Sequence, residues 1–187
     1  MKSRDLFLAF ILGIVGMFIA VFFLIKNKEL FMLVPTAVAR GEIWRFLSYH
    51  LIHKNLNHLI ENCIGFFFVG FIAYELKVGL KRYILAYIIA AIFAVLPIWV
   101  VFRFIAFGAS AAVLALFSFS SINLTRLGIS LVVVYFLLLG LIVIGSSGEY
   151  SFLGHLAGFG FGFLIYGIFS LFDKRKQKIL RRCDGNA

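Results

Sequence analysis

The chain has 187 residues, 63% of them hydrophobic and 14% charged, with a mean hydropathy of +1.06. Soluble domains are about half apolar and about a quarter charged, and a chain this short has no core large enough to hide the excess, so a soluble globular protein is excluded. Eighteen Lys and Arg against eight Asp and Glu give a net charge of +10, but the cations lie between apolar runs rather than in one patch, which argues for membrane topology and against a nucleic-acid partner.

A membrane-crossing helix needs about 17–25 mostly apolar residues, because each advances about 1.5 Å through about 30 Å of hydrocarbon. Residues 6–25 are the first such run. No small-residue cleavage site follows at Ile25-Lys26-Asn27, so the spacing predicts a retained helix rather than a signal peptide. A long loop, residues 26–57, comes next and carries Pro35, Gly41, Trp44, Arg45, His50 and His53. Residues 30–33 and 44–51 are apolar enough to lie in the membrane interface, with Trp44 and Arg45 as anchors. Further runs cover residues 58–76, 83–102, 129–144 and 152–172, with a short one at 110–122 and a basic tail at 173–187. Backbone polar groups must be satisfied inside lipid, and none of the runs alternates as a strand would. The expected fold is an all-α membrane protein, a six-helix bundle in a single domain with a long, partly membrane-inserted first loop.

Cations set the orientation. Twelve of the eighteen Lys and Arg fall at the N-terminus, after the second and fourth runs and in the tail, which puts both termini in the cytoplasm. The tail then anchors at anionic membrane lipid. Cys63, inside an apolar run, and Cys183, in the tail, match no metal-ligand spacing and imply no disulfide.

Polar residues inside spans are expensive and are functional candidates by default. His58 and Asn62 open the second run at i, i+4 and share a helix face; Ser110 opens the short run after Gly108-Ala109; His155 opens the last run between Gly154 and Gly158. With the N-terminus inside, all three runs start in the outer leaflet. Residues 110–122 cover only about 20 Å, so Ser110 lies about 10 Å below the outer surface. A buried serine is a weak nucleophile until a base takes its proton, and a histidine, titrating near neutral pH, can be that base. An oxyanion site is available from the free N–H groups at the start of the short helix and from His58 and Asn62. Glu61 points from another helix face and Glu149 lies in a loop, so the economical reading is a Ser110/His155 dyad without a third member. Gly154, Gly158 and Gly162 form a small-residue stripe that could meet Ala111 and Ala115 and bring the two starts together. Taken singly, such stripes are mostly packing, Ser118, Ser120 and Ser121 are bonded to their own helix, and His155 could be an interfacial histidine.

The ordered set Trp44-Arg45, His53, His58 to Asn62, Gly70…Glu75…Gly79, Gly108-Ala109-Ser110-Ala111 and His155-Leu156-Ala157-Gly158 with Gly162 resembles the rhomboid family of intramembrane serine proteases. The resemblance implies a six-helix core in which water reaches a submerged site. Ser110 is implied as nucleophile, His155 as base and then acid, and His58, Asn62 and the Ser110 N–H as oxyanion donors. Trp44, Arg45, His53, Gly108, Gly158 and Gly162 are implied as structural support. It further implies transmembrane-anchored protein substrates and no metal or cofactor. Two positions depart from the pattern: Ala111 stands for the second glycine of the serine motif, and Leu114 for the tyrosine on which the histidine stacks. The expected location is the plasma membrane of a prokaryote, with the site opening outward.

Two other functions fit parts of the pattern. One is a catalytically weak or inactive relative that binds membrane clients, motivated by Ala111 and Leu114. The other is an ion path through His53, His58, Glu61 and His155, which Asn62 and Ser110 suit poorly as ligands. Phe66, Phe67, Phe68 and Phe136 are gate candidates, with lipid-facing packing as their plain alternative.

Overall fold

The computed structural model describes residues 3–121 and 149–184. The expected span 129–144, and Phe136 with it, lies outside the described residues. In chain order the helices are α1 (Ser3–Leu24), α2 (Pro35–Ala39), α3 (Arg45–Ser48), α4 (Leu56–Glu75), α5 (Leu80–Phe93), α6 (Leu96–Phe102), α7 (Ser110–Ser121) and α8 (Glu149–Asp184). Two 3-10 turns, Lys28–Leu30 and Tyr49–Leu51, complete the first loop, which is therefore structured along much of its length. Among the described residues four helical stretches are long and apolar enough to cross a membrane: Asp5–Leu24, Leu56–Glu75, Leu80–Phe102 and Phe152–Gln177. Ser110–Ser121 is a shorter apolar helix.

Local chemistry sets the helix limits. Asn55 caps α4, its side chain accepting the His58 N–H at 2.9 Å. α4 ends in a Schellman turn: Val78 N–H donates to the Ala73 carbonyl and Lys77 N–H to that of Tyr74, both at 2.9 Å, with Lys77 left-handed at φ 57°. The expected span 83–102 is present, starting at Leu80, but is built of two helices interrupted at Ala94–Val95. Pro97 explains the break, because its ring has no N–H for the Phe93 carbonyl and crowds that turn. The basic tail, expected to leave the last helix at 173, stays helical to Asp184.

α7 is the centre of the bundle. Every residue from Ala111 to Ser120 is buried, as befits a helix apolar on all sides. Ser118 Oγ donates to the Leu114 and Ala115 carbonyls and Ser121 Oγ to that of Ser118, as expected, whereas Ser120 Oγ is buried with no partner among the described residues. Gly158 and Gly162 of α8 lie on the Ala111 and Ala115 backbone: a Cβ at 158 would stand 2.8 Å from the Ala111 Cα, and one at 162 would stand 2.8 Å from the Ala115 carbonyl carbon. Gly154 leaves this stripe and faces Val95. α1 docks on α4 where Gly70 makes room for Ile11, a Cβ there falling 2.5 Å from Ile11 Cδ1. Phe66, a gate candidate by sequence, is fully buried between Phe10, Phe18 and Tyr87, so it is core; Phe67 is exposed.

Candidate active site

The first loop holds the serine segment by its backbone. Leu33 and Ala106 exchange both hydrogen bonds of an antiparallel bridge, at 2.9 and 3.1 Å, and Gly108 N–H donates to the Tyr49 carbonyl at 2.9 Å. Gly108 then turns left-handed at φ 92° and delivers the chain to Ser110, the first residue of α7. Its N–H is among those that helix geometry leaves without an internal partner.

Arg45 is what stiffens that loop. It is 4% exposed; its guanidinium forks to Glu42 at 2.5 and 2.8 Å and donates to the Glu29 and Met32 carbonyls at 2.7 and 2.6 Å. The same guanidinium holds the Glu42 carboxyl below its usual range. Trp44 next to it is half-exposed and takes no part.

His53 lies fully buried, its Nδ1 3.1 Å from the Leu51 carbonyl and its ring 5.2 Å from that of His58. Burial pushes His53 down to about 3 and His50 to about 4, so both loop imidazoles are neutral. The His58 ring rests on Gly108: a Cβ there would come within 2.8 Å of His58 Nε2, so only glycine admits the ring. Asn62, one turn on, is buried, and its Nδ2 donates to the His58 carbonyl at 2.8 Å. One amide hydrogen of Asn62 remains available, and its Oδ1 has no partner among the described residues.

From the other side, α8 brings His155. Gly158 sits on Ala111, so His155, one turn earlier on α8, and Ser110, which begins α7, lie at the same end of the facing helices. His155 is 7% exposed, and its Nδ1 is buried without a hydrogen-bond partner. Among the described residues no hydrogen bond joins the Ser110 hydroxyl to the His155 ring; resting sites often hold such pairs loosely until substrate closes them. Leu114 is buried at the position where the family pattern carries a tyrosine. Glu61 is exposed and stands apart from this cluster.

Sequence reasoning missed the Leu33–Ala106 and Tyr49–Gly108 stitches, which are backbone bonds and leave no side-chain pattern. It missed Glu42 as well, although an acid three residues before Arg45 was a usable signal.

The family model for the Rhomboid domain matches residues 40–172. No curated protein matches the chain at a significant level. The matched segment holds Arg45, His58, Asn62, Gly108, Ser110 and His155 together with most of the apolar helices. The chain is an integral membrane protein that belongs to the rhomboid family.

Proposed function

We propose that the protein is an intramembrane serine endopeptidase that cleaves transmembrane-anchored proteins with a Ser110/His155 dyad and no metal or cofactor. The observation that carries this reading is the backbone-to-backbone seating of Gly158 on Ala111, with the His58 ring against Gly108. It supports a nucleophile, a base and a donor set gathered at one end of three helices. Ser110 Oγ attacks the scissile carbonyl while His155 takes its proton; the ring then gives that proton to the leaving amine. Ser110 N–H, His58 and the free amide hydrogen of Asn62 stabilise the oxyanion. Water, deprotonated by His155, releases the acyl group and restores the serine. The proposal includes six spans, both termini in the cytoplasm and a site that opens to the outer side of a prokaryotic plasma membrane.

A second reading, a client-binding relative without turnover, draws on the partnerless His155 Nδ1: no hydrogen bond among the described residues holds that nitrogen. Fluorophosphonate labelling of the detergent-purified protein separates the two, because the probe needs an activated serine and an oxyanion site but no substrate knowledge. The protease reading expects labelling of the wild type, lost in Ser110→Ala and His155→Ala, with cleavage of a model transmembrane substrate lost in parallel. A folded wild type that neither labels nor cleaves would sink it in favour of client binding.

A further inference from the structure

At the end of the bundle away from Ser110 there is a cavity of about 160 Å³, enclosed by the α4–α5 turn, the last turn of α7 and α8. Lys77, Arg82, Phe119, Tyr166, Phe169 and Asp173 line it. Asp173 and Arg82 are ion-paired with each other, which leaves the Lys77 ammonium as the cation without a hydrogen bond or ion pair among the described lining residues. Lys81 and Lys174, both exposed, are the chain neighbours of Arg82 and Asp173. Lys77 occupies the left-handed position of the Schellman turn, where glycine is the easy choice and a residue with a Cβ is strained. Lysine's attraction to the helix C-terminus recovers only part of that. A lysine is thus held in a backbone conformation that favours glycine at a position that lines the cavity.

The surroundings select the anion. Phe119 stacks edge-on with Tyr166 and Phe169, centroids 6.3 and 5.7 Å apart, giving the cavity an aromatic floor under its charged rim. Asp173 is eighteen residues beyond His155 on one helix, about 27 Å along the axis, so the rim lies at headgroup depth in the leaflet opposite the dyad. A second cavity of about 490 Å³ borders the same turn and is also lined by Lys77, but there the other charged lining residue is Glu75, which disfavours an anion. We propose that the smaller cavity seats the headgroup of an anionic phospholipid, its phosphate against the Lys77 ammonium and its glycerol over the aromatic floor. The site does not depend on the proteolytic reading.

The test is native mass spectrometry of the full-length protein in neutral detergent, titrated with phosphatidylglycerol, with phosphatidylcholine of the same acyl chains, or with glycerol 3-phosphate alone. The expected result is one preferentially retained phosphatidylglycerol. Lys77→Gly, which relaxes the backbone and removes the amine, should weaken that binding about tenfold at equal or higher melting temperature, while Lys176→Gln on the exposed part of α8 leaves it unchanged. Equal retention of the two lipids, unaltered binding by Lys77→Gly, an equal loss in Lys176→Gln, or binding of glycerol 3-phosphate as tight as the lipid's would each overturn the proposal.

Discussion

Gly158 of α8 and Ala111 of α7 touch through their backbones, with no side chain between them. A methyl at 158 has nowhere to go, because the atoms it would meet are the Ala111 main chain. Gly158→Ala should therefore push the helices apart next to His155 and Ser110 and lower fluorophosphonate labelling about 5- to 150-fold, the equivalent of the roughly 1–3 kcal/mol of an overpacked contact. Gly160→Ala, whose Cβ meets nothing within 4 Å, should label like the wild type and melt no lower.

Arg45 holds one carboxylate and two carbonyls that would be left unsatisfied without it. Arg45→Gln is expected to lower the thermal midpoint in detergent, because two loop carbonyls lose their donor. Arg45→Lys should recover little, since a lysine cannot fork to Glu42 and reach both carbonyls. Trp44→Ala, at a half-exposed neighbour, should leave the midpoint nearly unchanged.

Loop stability should depend on pH through its buried imidazoles. The unfolded chain takes up a proton on His50 near pH 6.5, whereas the folded protein refuses it until about 4. The stability from the neutral ring is complete above pH 6.5 and drains as pH falls toward 4, at up to about 1.4 kcal/mol per pH unit. His53 adds a similar slope down to about 3. Thermal midpoints taken between pH 7 and 4 should fall less steeply in His50→Phe than in the wild type; an unchanged slope would reject this assignment.

Gly108 answers to two demands, a φ of 92° and the His58 ring against its Cα. Gly108→Ala should abolish labelling while leaving the protein membrane-inserted. Combined with His58→Ala it should cost less than the two single losses added, since removing the ring relieves one of the two strains.

The polar positions His58, Ser110 and His155 were legible because polar residues stand out in apolar runs and the 3.6-residue period fixes which of them share a face. Phe66 was not legible as core. In a membrane protein the lipid face and the packed face are both apolar, so hydropathy carries no signal of which way a phenylalanine points. The interruption before Pro97 was hidden for a related reason: hydropathy scores side chains, and what Pro97 lacks is a backbone N–H. The bridge from Leu33 to Ala106 joins main-chain atoms more than seventy residues apart and has no side-chain periodicity at all.

That bridge, with the Tyr49–Gly108 bond, has a bearing on biogenesis. As the chain is made from its N-terminus, the strap that receives the serine segment exists before the segment does, and α8 emerges last of the described helices. A nascent chain can thus thread Ser110 into its seat while the histidine is still unsynthesised. On the proposed protease reading, the Ser110/His155 pair cannot form until α8, the last of the described helices, has been made.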